Sequence, residues 1–528
     1  MHKEITRPEF SKYLRGFPTV ISIATITLVL GGCSTLKPET LTSQEIRDTS
    51  TQDKSLMLQD NAPLSGALSL DDAIARAIKY NAARRVNLME EAVANGQLDV
   101  GRYDMMPKLV ASAGYQSRDK DLITRSQDSV TGAPSLSDPY ISSARSSTAT
   151  DLSFTWSLLD FGQSYYASKQ NADRVLIAEE RRRKALHLLT QDVTTAFWRA
   201  TSAQKLRQDV KSTIAAAEEA LTDSRRVEAE RLRNPLDALR YQRQLLENLR
   251  LLEAIDQELS TAKIELASLA NIPLGQDFSI QESTNMPNTK WMDIPVERLE
   301  EQAILSNADL RETFYNARIA REETRRTLVR MFPGLSFSYA LKGSDDSYLI
   351  NKQWSESGVQ ISFNLLGLLS LPAQKRLSEA GVKIADQRRM ATQMAVLTQL
   401  HIARLQYINS YRQFDRADAI SRVDSEISIN MAKREQAQTQ TKLDMVANQT
   451  SAILSQLRRY QALAQVRAAA SKLQATLGLD PVTEDRAQLS LPELSKVVSE
   501  SLQRWDAGYL PEIIVPAPTG PIPPANGS

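Results

Sequence analysis

Asp151-Leu152-Ser153-Phe154-Thr155-Trp156-Ser157-Leu158-Leu159-Asp160-Phe161-Gly162 decides the fold. Leu152, Phe154, Trp156 and Leu158 alternate with Ser153, Thr155 and Ser157, the pattern of a two-faced β-strand. A helical pattern follows at once, with no proline or glycine between Gly162 and Pro235. One amphipathic strand feeding so long a helix is an unusual junction, and the rest of the chain is organised around it.

Working outward, the pattern recurs. Leu152, Phe154, Trp156 and Leu158 match Val359, Ile361, Phe363 and Leu365, 207 residues on. Asp237 matches Asp444, Leu266 matches Leu473 and Ile272 matches Leu479 at the same offset. Upstream, Ala77-Ile78-Lys79-Tyr80-Asn81 matches Ala303-Ile304-Leu305-Ser306-Asn307, and Pro107-Lys108-Leu109 matches Pro333-Gly334-Leu335, both at an offset of 226. Two constant offsets describe one duplicated unit, whose single length change of 19 residues lies between Leu109 and Leu152.

Each unit reads the same way. A helix (Leu70–Met106; Pro295–Met331) leads into a first strand with Leu109, Ala111, Ala113 and Tyr115, or Leu335, Phe337, Tyr339 and Leu341, on one face. A polar loop follows (Arg118–Ala149; Gly343–Ser357). The expected strands are 108–117 and 151–159, then 334–342 and 358–366. The long helices are expected from Gln163 to about Glu230 and from about Ala373 to Glu435, with returning helices Leu236–Ala270 and up to Leu477. Leu186, Leu189, Val193, Ala196, Ala200, Ala203, Leu206, Val210, Ile214, Ala217 and Leu221 form a 3/4-spaced seam, with alanines that permit close helix approach. A helix of some 65 residues is roughly 100 Å long, wider than a globular core.

The N-terminus is a processing signal. Lys3, Arg7, Lys12 and Arg15 precede the apolar run Phe17–Leu30, which is signal-peptide length. Leu30-Gly31-Gly32-Cys33 resembles a bacterial lipobox and makes Cys33, the chain's one cysteine, the expected lipidation site, with palmitate among its acyl groups. Ser34 in place of an aspartate implies the outer membrane. The expected organisation is 1–32 signal peptide, 33–67 lipidated tether, 68–275 first repeat, 294–480 second repeat and 481–528 tail with a helical stretch at Leu491–Trp505 and a proline-rich end.

Composition excludes several classes. Lys+Arg 64 against Asp+Glu 63 gives a net charge of +1, so no nucleic acid is expected as partner. His187 and His401 are isolated within helices, so neither a metal nor another cofactor is expected. There is no glycine-rich phosphate loop and no Gly-x-Ser-x-Gly elbow, and the chain is not expected to be an enzyme. The runs Arg181–Lys184 and Arg225–Arg233 read as solvated faces, the second with the option of a partner contact.

Strands of about nine residues with one apolar and one small-polar face match membrane β-barrel strands, which need about 9–11. Four strands cannot close a barrel, and open sheet edges are forbidden in lipid. Either several chains share one barrel or the strands form a small soluble sheet on helices.

Lipobox, duplicated strand-pair-plus-long-helix unit and matched registers together resemble the TolC family of outer-membrane channels, more narrowly its lipoprotein branch, over about Leu68 to Asp480. The resemblance rests on the order Leu70…Ala77…Asn81, Gly101…Pro107, Trp156–Gly162, Leu266–Gly275 and Leu473–Asp480. It implies a mainly α fold with a shared transmembrane β-barrel: a homotrimer whose twelve strands form the barrel, continued by a periplasmic coiled-coil tunnel. It also implies passive export, by efflux or type I secretion, with a periplasmic adaptor and an inner-membrane transporter as partners and outer-membrane lipids around the barrel. At the tips the family's turn glycines are replaced by Arg231 and Gln438, with Pro235 in the first turn and Asp237 and Asp444 retained. Those tip residues are the candidate adaptor contacts. Asp444 is the candidate constriction, although the family's second aspartate is Ala447 here. A periplasmic coiled-coil scaffold lipoprotein is the alternative; it accounts for the helices and the lipid but not for the strands.

Overall fold

The computed structural model describes residues 39–59, 61–64, 66–135, 138–230, 235–281, 287, 289–436 and 442–511. Cys33, Arg231 and Gln438 lie outside them, as do the signal peptide, both helix–helix turns and the proline-rich end. Residues up to Gln59 form a unit of their own. It holds helix α1 (Ser43–Leu58), started by a capping box in which the Thr42 side chain and Glu45 satisfy each other's backbone N–H.

The second unit contains the duplication. Helices α2 (Leu70–Tyr80) and α3 (Ala82–Tyr103) have counterparts α7 (Val296–Ser306) and α8 (Ala308–Val329), of the same lengths and displaced by 226 residues. Strands β1 (Lys108–Ser117) and β4 (Ser146–Ser157) correspond to β5 (Gly334–Ser344) and β6 (Gln353–Ser362). The long helix α4 (Leu158–Ala229) and its return α5 (Pro235–Leu269) correspond to α9 (Gly367–Gln436) and α10 (Lys442–Thr476). At 72 residues, α4 is about 110 Å long. Short α6 (Lys290–Asp293) joins the halves, and α11 (Glu484–Ala487) and α12 (Leu491–Asp506) follow the second.

Where single helices were expected over Leu70–Met106 and Pro295–Met331, both break, at Asn81 and Asn307. Each asparagine is extended (ψ 126° and 128°), closing one helix and capping the next. The Asn81 side chain accepts the Arg84 N–H at 3.2 Å, and that of Asn307 accepts the Leu310 N–H at 3.1 Å. Apolar periodicity continues through the break, which is why it reads as one helix; the cap chemistry is what stops it.

The expected seam of α4 is the core. Leu186, Val193, Ala196, Ala200, Ala203, Leu206, Val210, Ala217 and Leu221 are buried, with Leu189 and Ile214 packed at the edge. Those up to Val210 share a core with Leu252, Leu259 and Leu266 of α5 and Leu457, Leu463 and Val466 of α10, while Ala217 and Leu221 join Leu245, Leu249 and Val446 in a second one. Burying such a side chain contributes about 1.5–3 kcal/mol. Phe197 and Trp198 fall outside the 3/4 seam yet are fully buried in the same core, and Trp198 lines a cavity with Leu502 and Trp505 of α12.

The chain after Asp480 is not a loose tail up to residue 511. Leu494 and Val498 of α12 are buried, Ser495 Oγ donates to Asp72 Oδ1 of α2 at 2.6 Å, and Trp291 Nε1 donates to the Trp505 carbonyl at 2.7 Å. Asp480 itself is clasped by His187 Nε2 at 3.0 Å and Arg183 Nε at 3.0 Å. Burial pushes the Asp480 carboxyl up, but the His187 hydrogen bond and the Arg183 guanidinium outweigh it and hold it below the usual aspartate value.

The run Arg181–Lys184 is a solvated face only in part: Arg181 and Lys184 are exposed, but Arg182 is buried and Arg183 half-buried. Arg181 pairs with Glu312, Arg182 with Glu91, Arg183 with Glu180 and Asp480, and Lys184 with Asp309. The run tethers α4 to α3 on one side and α8 on the other.

Candidate membrane sheet and helix junction

Strands β1, β4, β5 and β6 form one antiparallel sheet in that order. Its ladders align the alternation of all four strands. Leu109 lies opposite Phe154, Phe154 opposite Tyr339; Ala111 opposite Leu152, Leu152 opposite Leu341. Trp156 lies opposite Phe337, and Phe337 opposite Val359. Side chains in a strand alternate faces, so these residues share one face. The other face carries Lys108, Thr155, Ser338 and Gly358 in one row and Val110, Ser153, Ala340 and Glu356 in the next. On that face Lys342 pairs with Glu356 at 2.6 Å, and Trp354 Nε1 donates to Glu356 Oε1 at 2.7 Å.

The apolar face is open: Leu109, Leu152, Phe154, Phe337, Tyr339, Leu341, Val359 and Ile361 are all exposed. So much contiguous apolar surface marks a site that another apolar phase covers. The sheet is also open at both edges, since β1 pairs with β4 alone and β6 with β5 alone among the described residues. In lipid the unpaired backbone groups of those edges must be satisfied by further strands.

The strand ends differ from those read off the sequence. β4 begins at Ser146 rather than Asp151, and β6 at Gln353 rather than 358. Residues 146–150 are Ser, Thr and Ala, without an apolar alternation, yet β1 supplies ladder partners to all five and β5 to Ala149 and Thr150. The loop before β4 holds the short ladder of β2 (Ile123–Thr124) and β3 (Tyr140–Ile141). It is tied to the second loop where Asp345 Oδ1 accepts the Thr148 N–H at 2.6 Å and Asp346 Oδ1 accepts that of Ala144 at 3.0 Å.

At the other end strand passes directly into helix. Ser157 caps α4, its Oγ accepting the Asp160 N–H at 3.2 Å, so Leu158 and Asp160–Gly162 belong to the first turns of the helix and not to the strand or a hinge. Trp156 packs edge-on against Phe161 at 6.0 Å and stacks on Phe337 at 6.4 Å across the junction. In the second repeat β6 ends at Ser362, short of Phe363 and Leu365, and α9 starts at Gly367, capped by Asn364 Oδ1 at 2.9 Å, six residues before the expected Ala373.

Of the candidate tip residues, Pro235 opens α5, and Asp237, exposed, stands 3.9 Å from Arg240 in that first turn. Asp444, also exposed, is in the first turn of α10, its backbone carbonyl accepting from Asn448 Nδ2 at 2.6 Å. Negative charge there is favoured by the helix dipole. Among the described residues there is no group of three or more His, Cys, Asp or Glu placed to hold a metal ion, and no helix is long and apolar enough to cross a membrane.

No protein-family model and no curated protein matches the chain. Solved structures do. The CmeC outer membrane channel of Campylobacter jejuni matches with a TM-score of 0.60 at 13% identity, over 89% of this chain and 98% of that one. A membrane protein from Pseudomonas aeruginosa matches with a TM-score of 0.60 at 16% identity, over 79% and 95%. The MtrE outer membrane channel of Neisseria gonorrhoeae matches with a TM-score of 0.56 at 17% identity, over 78% and 91%. The duplicated unit, the four-stranded sheet and the paired long helices thus give this chain the fold of the TolC-type outer-membrane channels.

Proposed function

We propose that the protein is an outer-membrane export channel in which three copies close a twelve-stranded barrel and a helical tunnel continues it into the periplasm. The observation that carries this reading is the register of the sheet. It gathers the apolar residues of four strands onto one exposed face and leaves an unpaired edge at each end. Lipid fits the apolar face, and a second and third copy fit the edges. The polar rows then face a water-filled lumen.

Conduction is passive, and a periplasmic adaptor with an inner-membrane transporter provides energy and cargo choice. Residues 1–32 direct export and Cys33 is acylated, anchoring the chain to the outer membrane. Asp444 from three copies rings the periplasmic end, and Arg231, Pro235, Asp237 and Gln438 form the adaptor-facing tips. A scaffold lipoprotein without a channel would leave the apolar face of the sheet in water.

The test is reconstitution of the full-length protein in planar bilayers, together with its migration from outer-membrane fractions. The channel reading expects discrete single-channel currents and a heat-modifiable species of three copies. A monomer that loses membrane association when Cys33 is replaced by serine, and passes no current, would support the scaffold.

A further inference from the structure

Away from the sheet, a cleft of about 610 Å³ lies between α4, the ends of α7 and α10, the start of α8 and the C-terminal segment. That volume falls within the range of small-molecule sites. Four arginines line it: Arg183 of α4, Arg311 of α8, Arg486 of α11 and Arg504 of α12.

Their charges are met unequally. Arg183 is held by Glu180 and Asp480, and Arg311 Nε by Glu180 Oε1 at 2.7 Å. Two guanidiniums are thus answered by two carboxylates. Arg183 also donates to the Gly478 carbonyl at 3.2 Å, so its N–H groups are committed to the protein. Arg486 and Arg504 differ. Arg504 Nε donates to the Glu500 carbonyl at 3.4 Å, and neither guanidinium meets a carboxylate among the described residues. The cleft therefore carries an excess of two positive charges, one from α11 and one from α12.

Ser501 lines the same cleft. It stands three residues before Arg504, on the same side of α12. It is 4% exposed, and its hydroxyl has no hydrogen-bond partner among the described residues. Leaving a buried hydroxyl unpaired costs about 1–3 kcal/mol, so the site is built to meet something polar.

A guanidinium donates and cannot accept, and a hydroxyl donates readily. Their complement is a group with several acceptor oxygens and negative charge. Phosphate and carboxylate both qualify, and the planar guanidinium binds either with paired N–H bonds. Along α4, at about 1.5 Å per residue, Arg183 lies about 38 Å from Leu158 at the strand end. With the sheet in lipid the cleft is beyond the headgroups, so the anion comes from solution; this choice of source rests on the membrane reading.

We propose that the cleft binds a small, soluble, multiply charged anion through phosphate or carboxylate oxygens, held by Arg486, Arg504 and the Ser501 hydroxyl. Arg183 shapes the wall without touching the ligand. Because α11 and α12 each supply one guanidinium, the bound anion bridges them and holds the C-terminal segment against the body of the chain. Binding to the folded state alone then raises its stability.

The test is isothermal titration calorimetry of the full-length protein in detergent at low ionic strength, with inorganic phosphate and citrate as separate probes. At least one should bind saturably, one per chain, and the tighter of the two identifies the oxygen chemistry. Arg486→Gln and Arg504→Gln are exposed positions, and each should weaken binding about tenfold or more, the size of one charge-assisted hydrogen bond. Ser501→Ala should weaken it less. Arg416→Gln, exposed on α9, should leave it unchanged. The tighter probe should also raise the thermal unfolding midpoint of the unaltered protein and not that of the Arg486→Gln, Arg504→Gln double variant. The proposal is overturned if neither probe saturates, if the two cleft variants bind like the unaltered protein, or if Arg416→Gln loses as much as they do. The channel reading is decided separately, by bilayer currents, and stands or falls independently of these titrations.

Discussion

Asn307 donates its side-chain amide to the carbonyl of Thr476 at 2.9 Å, and Asn81 donates to the carbonyl of Leu269, the residue 207 positions before Thr476, at 3.2 Å. In each repeat one asparagine therefore caps a helix and holds the end of the returning helix beside it. Asn307 is buried and Asn81 half-buried. Asn307→Ala should remove the cap, at about 1 kcal/mol, and strand a buried carbonyl, at about 1–3 kcal/mol more. Chemical denaturation of the detergent-solubilised protein should show that loss, with Asn81→Ala the milder of the two; equal, negligible effects would remove the shared role.

Gly478 and Asn271 end the returning helices in the same left-handed conformation, φ 68° and 51°. Both close with a bond five residues back, Leu479 N–H to the Gln474 carbonyl at 3.0 Å and Ile272 N–H to the Ala267 carbonyl at 2.8 Å. Glycine is required only at 478, where an added Cβ would meet the Ser306 carbonyl oxygen at 2.1 Å. Gly478→Ala should cost several kcal/mol, beyond the about 1 kcal/mol of left-handed strain alone, whereas Asn271→Gly should stay within about 1 kcal/mol. Thermal unfolding of both variants checks the contrast.

Phe154 and Thr155 are neighbours on opposite faces of β4. Phe154→Arg should put a cation into lipid, at about 2–4 kcal/mol per copy near the midplane, and block outer-membrane assembly. Thr155→Arg should assemble and alter conductance. Membrane fractionation with single-channel recording measures both, and the reverse result would exchange the two faces.

Tyr407 is almost fully buried, and burial pushes its phenol up to about 12. Its folded value lies above the ordinary tyrosine value of 10.0. The stabilisation is therefore present below pH 10 and lost as pH rises through about 12. A shift of this size corresponds to about 3 kcal/mol. Unfolding midpoints taken from neutral to strongly alkaline pH should fall less steeply for Tyr407→Phe than for the unaltered protein.

Asp444→Ala should raise cation conductance or leak in bilayers if three such carboxylates ring the tunnel end. Unchanged currents would leave Asp444 as a first-turn residue stabilised by the helix dipole alone.

The sequence by itself determined the elements that depend on repetition along the chain. The alternation at Leu152–Trp156, the 3/4 seam from Leu186 to Leu221 and the two offsets of 226 and 207 all survive in the structure because period and register are local properties of strand and helix. The candidate tip aspartates were legible for the same reason, as first-turn residues of duplicated helices. What only tertiary structure decided depends on partners distant in sequence. Asn81 and Asn307 stop helices whose apolar spacing runs on, because their side chains answer helix ends some 170–190 residues away. Ser146–Thr150 became strand because β1 offered backbone partners along the whole segment, joined by β5 from Ala149. The Arg181–Lys184 run, a solvated face by pattern, finds carboxylates on two neighbouring helices, Glu91 of α3 and Asp309 and Glu312 of α8. Trp198 lies beside Leu502 and Trp505 because the segment around α12 folds back toward it. Charge and apolarity can be read from a chain, but which side of a helix is covered, and by what, is settled where the two repeats and the C-terminal segment meet.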